Sequence, residues 1–135
     1  MTARRLEDFA GGWVFSRRID HADGREASVE GRAVWSWDGA GLVCEERGEM
    51  RLSGHPPMQV TGRSLWREGV EVYFADGRFF HRVPPEGGAT AHWCDPDQYD
   101  GAYDFGPWPA FSVTWRVRGP RKDYRMTTHY RPEEP

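Results

Sequence analysis

Residues 6–13 read Leu6-Glu7-Asp8-Phe9-Ala10-Gly11-Gly12-Trp13, and from Trp13 onward the apolar period is two rather than 3.6. Leu6 and Phe9 stand three apart, which predicts a helical lead-in over residues 2–10 and nothing longer. Trp13, Phe15 and Ile19 then share one face. Between residues 27 and 37, Ala27, Val29, Ala33, Trp35 and Trp37 alternate with Ser28, Glu30, Arg32 and Ser36. Asp38-Gly39 is a hairpin signal. Beyond it, Leu42, Cys44, Met50 and Leu52 form one apolar face, and Met58, Val60 and Trp66 the next. Residues 70–74 turn at Asp76-Gly77 into residues 78–83. Four more runs (89–94, 99–105, 111–118 and 123–131) are separated by Asp95-Pro96, Gly106-Pro107 and Gly119-Pro120.

Strands at roughly 8–12-residue spacing, joined by short turns, read as a sandwich or a barrel. With no long crossover the barrel is favoured. The expectation is an all-β, closed up-and-down antiparallel barrel of about 8–10 strands, its N-terminal helix plugging one end, as a single domain over residues 1–135.

Composition narrows the partners. With 135 residues, seven Trp, seven Phe and five Tyr, the chain can bury a core without staples. The net charge is -3, and no Lys/Arg block dominates any segment, which argues against a nucleic-acid footprint. Residues 1–10 lack an apolar leader core, and no apolar run reaches the roughly 18 residues of a membrane helix. Cys44 and Cys94 lie far apart without framework spacing, so free thiols in a reducing cytoplasm are expected.

Gly11-Gly12-Trp13, at the start of the first strand and after a short plug, resembles the Gly-x-Trp signature of the calycins, the lipocalins and fatty-acid-binding proteins among them. The resemblance implies that Trp13 packs at the closed end and that a basic residue of the last strand lies across it. Arg131 is the first candidate for that stacked cation and Arg125 the second. The whole chain also resembles a bacterial calycin-type domain family of unknown function. Residues 74–81 (FADGRFFH), 92–99 (HWCDPDQY) and 115–124 (WRVRGPRKDY) carry that resemblance. It implies a fold and no activity.

Large residues sit toward the strand ends, while Gly31, Gly48, Gly62, Ser64 and Gly101 lie mid-face. Two readings fit: a central void, or glycines that permit bulges and bends. Given a void, the expected ligand-binding residues are Trp35, Glu46, Trp66, Phe74, Arg78, His81, Trp93, Tyr103, Trp115 and Tyr124. Glu46 falls in register with an apolar face, so it is either paired with an Arg or Tyr hydroxyl, protonated, or turned to solvent by a bulge at Gly48. His81 alternates with Phe79 and Val83 and should face the same side. Glu46 and His81 are the only candidate catalytic groups.

His92-x-Cys94-Asp95-Pro96-Asp97 gathers donors, but no second Cys/His pair completes a zinc set, so no metal is expected. Asp97 reads as a turn residue bonding to backbone amides. The chain is similar in size and barrel type to nitrobindin, which binds haem through a late His. His129 falls on the outward face, however, and no cofactor is expected. Arg118 to Asp123 is the one basic cluster and, with Arg78 and Arg82, could attract an anion.

These readings converge on a cytoplasmic barrel that binds a small, partly apolar and optionally anionic metabolite. The alternatives are an acid–base enzyme (isomerase or hydratase) using Glu46 or His81, and a filled-barrel interaction module with exposed aromatics such as Trp108.

Overall fold

The computed structural model describes residues 2–134. A 3-10 turn, Leu6–Phe9, precedes ten strands: β1 Gly11–His21, β2 Glu26–Trp37, β3 Leu42–Leu52, β4 Met58–Arg67, β5 Glu71–Phe74, β6 Phe79–Arg82, β7 Gly88–Cys94, β8 Asp97–Asp104, β9 Phe111–Arg118 and β10 Asp123–Pro132. They form one antiparallel sheet in the order β6-β5-β4-β3-β2-β1-β10-β9-β8-β7. Every pair of sheet neighbours is consecutive in the chain except β1 and β10, where the first strand meets the last and the sheet curls round on itself. The alternation of each strand between core and solvent drives that curl, because only a closed wall buries every apolar face at once.

Closure is nearly complete. β6 and β7 are the two edges of the sheet, and no strand ladder joins them. The Thr90 hydroxyl donates to the Arg82 carbonyl across the seam at 3.0 Å. Inside it, the His92 ring packs edge-on against Phe74 and Phe80.

The lead-in is shorter than the expected helix. Only Leu6–Phe9 turn, with 3-10 rather than α geometry, because Arg5 and Ala10 are extended on either side. The Asp8 carboxylate accepts from the Arg5 amide at 2.8 Å, and Ala10 N–H reaches back to the Glu7 carbonyl. The turn still plugs the barrel. Phe9 is 0% exposed, against Trp35, Trp66, Phe105, Trp108 and Phe111.

Trp13 lies at this closed end, and its indole N–H donates to the Phe9 carbonyl at 2.8 Å. Among the described residues no cation lies over the Trp13 ring. Arg131 pairs with Val14 on the outward, solvent-facing side of the wall, as Arg125 does with Asp20. Arg4 instead reaches in from before the plug, its guanidinium 4.4 Å from the centre of the Trp108 ring. Trp108 is therefore part of the plug rather than an exposed docking aromatic.

The mid-face glycines have two physical explanations. Gly31 pairs with Gly48, and a Cβ on Gly31 would overlap the Arg47 carbonyl oxygen, so these two let β2 and β3 approach closely. A Cβ on Gly101 would sit 2.7 Å from the Trp115 ring. Gly62 alone faces open space, its nearest neighbour being Glu46 Oε1 at 3.9 Å. Most of the pattern read as a void is close packing.

Candidate functional site

The strands alternate in direction, so the turns 22–25, 53–57, 75–78, 95–96 and 119–122 all lie at the end opposite the plug. This end is the mouth. The wall is also notched there. β5 pairs with β4 only over Ser64 to Arg67, leaving the Met58–Arg63 stretch of β4 paired with β3 on one side and with no strand on the other. A cavity of about 150 Å³ opens here, walled by Phe15, Ile19, Val29, Met50, Val60, Gly62 and Met126, with Arg17, Glu46 and Thr61 as its polar residues. A hole of roughly this size accommodates one benzene-sized molecule.

Arg17 stands on the inward face of β1 between Phe15 and Ile19. Its Nε donates to the Thr128 hydroxyl at 2.7 Å. Its Nη2 donates to both Glu46 oxygens, at 3.0 and 3.1 Å, and lies 3.2 Å from the Tyr130 hydroxyl. Tyr130 donates to Glu46 Oε2 at 2.6 Å. The Arg17 guanidinium also lies over the Phe15 ring, 4.8 Å from its centre. Among the described residues Nη1 has no hydrogen-bond partner. Arg17 and Glu46 are 16% and 19% exposed, so water reaches the pair from the mouth.

The electrostatics follow from this geometry. Burial works against the charge on Arg17, but Tyr130 and Glu46 outweigh it and hold the guanidinium charged. Burial, with the neighbouring Glu46 carboxylate second, pushes the Tyr130 phenol well above its ordinary range, so it stays a donor. Burial, with Glu46 adding to it, likewise raises the Cys44 thiol and keeps it a neutral, inert group.

The sequence-predicted residues divide among several places. Glu46 points inward and takes the paired option, with both an Arg and a Tyr hydroxyl as partners. Its carboxylate accepts three hydrogen bonds from these two partners. Trp35 and Trp66 belong to the closed end, 5.4 Å apart edge-to-face. Tyr103 and His81 form a buried pair, the hydroxyl 2.8 Å from Nε2, while His81 Nδ1 is buried without a partner. Burial, with His92 contributing, pushes the His81 imidazole down to about 3, so it is neutral. His81 lies apart from the cavity, edge-on to Phe80 and Trp115. Phe74, Phe80 and Trp115 stack in sequence at 4.6 and 4.8 Å.

Several placements differ from expectation, beginning with Trp37, which is exposed at the end of β2. Trp93 is 59% exposed on the outer wall, because inward-facing His92 and Cys94 flank it on β7. Phe79 does not share the face of His81: the register shifts between Val72 and Tyr73, sending Phe79 outward onto Tyr73 and Phe80 inward. Arg82 lies at the plug end, donating to the Gly69 carbonyl, and takes no part in the mouth. Asp97 is buried and pairs with Lys122 at 3.1 Å rather than capping backbone amides.

Arg78 and Tyr124 are at the mouth. Arg78 packs over Phe74 at 5.3 Å and is paired with Asp76 at 2.8 Å. Tyr124 is half-buried beside His21. The polar cluster that sequence reasoning missed is Arg17 with Thr128 and Tyr130. Its one local signal is parity, since Arg17 sits two residues from both Phe15 and Ile19. Among the described residues no group of three or more His, Cys, Asp or Glu side chains is placed to hold a metal ion, and no helix is long and apolar enough to cross a membrane. Both cysteines are free.

The fold and site define an all-β, ten-stranded up-and-down barrel with one capped end and a small polar-floored cavity at the other. The chain belongs to the family of unknown function DUF6314, whose family model matches residues 9–132. Among solved structures it is similar to the S-type phycobiliprotein lyase CPES from Guillardia theta, with a TM-score of 0.62 and 8% identity over 96% of this chain and 92% of that one. It is also similar to a protein of unknown function from the DUF3598 family of Nostoc punctiforme, with a TM-score of 0.57 and 12% identity. That match covers 96% of this chain but only 49% of the other. At these identities the likeness is one of fold. No curated protein matches the chain.

Proposed function

We propose that the protein binds one small, partly apolar metabolite in the cavity at the mouth of the barrel. The observation that carries this reading is the half-open Arg17–Glu46 pair, held from behind by Tyr130 and Thr128, in the wall of a mostly apolar hole. A filled barrel gains nothing from such a cluster. Apolar walls with one convergent polar group are the usual make-up of a small-molecule pocket. Ile19, Val60 and the flexible Met50 and Met126 supply the walls, and methionine adapts to irregular shapes.

Catalysis by the two candidate acid–base groups finds less support. Glu46 is saturated by its partners, and His81 is neutral and walled off from the cavity by aromatic rings. The reading is tested by native mass spectrometry of the protein purified from its own host, set against its denatured mass. The expected result is one small extra mass that leaves on denaturation and is missing from Met126→Trp, whose indole fills the cavity. Bare protein in both samples, with no small ring compound raising the melting temperature of the wild type, would overturn it.

A further inference from the structure

The cavity has a charge balance that restricts what it accepts. Three cations pack on rings that face the interior: Arg17 on Phe15, Arg78 on Phe74 and Lys122 on Tyr99. Each has its own carboxylate within ion-pair distance. Arg17 has Glu46 at 3.0 Å, Arg78 has Asp76 at 2.8 Å and Lys122 has Asp97 at 3.1 Å. Among the described residues Arg17 is the one cation that lines the cavity, Arg78 and Lys122 standing outside it, and with Glu46 beside it no net positive charge is left over to offset a buried anion. The negative charge of Glu46 is equally committed, to Arg17 and Tyr130, so a cation finds no free counter-ion. A charged group brought into this hole would lose its hydration without gaining an opposite charge.

What remains on offer is a hydrogen-bond donor. Nη1 of Arg17 carries N–H groups that no described residue accepts from, on a guanidinium held in place by Thr128, Glu46 and Tyr130. A donor fixed in this way suits a neutral oxygen acceptor.

We infer that the cavity selects a small uncharged ligand with a carbonyl oxygen on an apolar ring or short chain, and that Glu46 is the residue that excludes anions by neutralising Arg17. This rests on the binding reading above and sharpens it to a ligand class. An amide, ketone or lactone of about benzene size fits the volume. The optional anionic group of the sequence reading is thereby disfavoured, even though arginines surround the mouth.

The test uses benzamide and benzoate, which share shape and differ in charge at neutral pH. Calorimetric titration of the wild-type protein is expected to show benzamide bound at least tenfold more tightly than benzoate. Glu46→Gln leaves the Arg17 charge uncompensated, and benzoate is then expected to gain tenfold or more relative to benzamide. The wild-type ratio is read first and needs no variant, so misfolding of Glu46→Gln would not spare the proposal. Equal affinities, or a preference for benzoate, in the wild type would overturn the selectivity while leaving a binding cavity. A folded Glu46→Gln with an unmoved ratio would overturn the role of Glu46. Failure of both compounds to bind either protein would overturn the selectivity together with the binding reading.

Discussion

Phe9→Ala tests whether the plug is part of the core or a detachable flap. The side chain is fully buried and touches five aromatic rings between 5.1 and 6.2 Å away, three in tilted and two in edge-on geometry. Removing a buried Phe costs about 3–5 kcal/mol when the surroundings cannot collapse into the hole. Here they cannot collapse readily, because Trp35, Trp66 and Phe111 are each anchored on different strands. An unfolding entropy of roughly 2.1 cal/mol/K per residue, over 135 residues, is about 0.28 kcal/mol/K. A loss of about 4 kcal/mol then lowers Tm by roughly 14 °C. Urea unfolding followed by tryptophan fluorescence would place the midpoint lower by about 2 M, for a slope near 2 kcal/mol/M. Phe9→Leu keeps much of the volume and should lose under half as much. A loss below about 1 kcal/mol for Phe9→Ala, with an unchanged slope, would refute the reasoning: the turn would then be undocked in solution and the closed end open.

Gly101→Ala drives a methyl to 2.7 Å from Trp115, whose ring is stacked on Phe80 and cannot retreat, so about 1–3 kcal/mol should be lost in urea unfolding. The His81 imidazole, at about 3 when folded and 6.5 when unfolded, takes up its proton only on unfolding between those values. Its contribution is therefore complete above pH 6.5 and is lost as pH falls toward 3, by about 2 kcal/mol at pH 5. Denaturant midpoints at pH 7 and 5 should show that slope in the wild type and a flatter one in His81→Gln. Half-buried Cys94 should react with a thiol reagent in the native protein while Cys44 reacts only in denaturant, so fast labelling of both would contradict the burial of Cys44. Arg17→Met alone strands Glu46 and should cost about 2–4 kcal/mol, whereas Arg17→Met with Glu46→Leu should come within about 1 kcal/mol of wild type yet bind no benzamide.

The fold was legible because nearly every strand buries one face only. Period-two alternation, punctuated by Asp-Gly and Gly-Pro, fixes both strand limits and meander order, and residues 27–37 and 111–118 fall within the observed β2 and β9. Failures came where residue type was weighed above parity. The indole of Trp93 suggests an inward position, although its neighbours His92 and Cys94 share a face and alternation places Trp93 on the other. The register shift at Val72 and Tyr73 has no marker in the sequence, so the reversal of Phe79 was invisible. Glycine is ambiguous for a physical reason: a missing side chain either admits a neighbour, as at Gly101, or leaves a space, as at Gly62.

The polar floor was half legible. Glu46 stood out as a carboxylate on an apolar face, yet its partners lie 29 and 84 residues away on other strands. Arg17 has the same parity signal and was passed over, because a guanidinium next to two more polar residues reads as solvent-facing until β10 and β3 are folded around it. The cluster is also more than stability requires. A buried ion pair is often no better than apolar residues of equal volume, and the same barrel fills most of its remaining interior with Trp, Phe and Val. Charge that stability does not demand, placed where a cavity meets water and held by Thr128 and Tyr130 on the last strand, is best explained by a ligand that needs an oriented donor. The same pairing that makes the guanidinium tolerable indoors removes its attraction for anions. On the proposed reading, folding and selectivity are thus two consequences of one contact between Arg17 and Glu46.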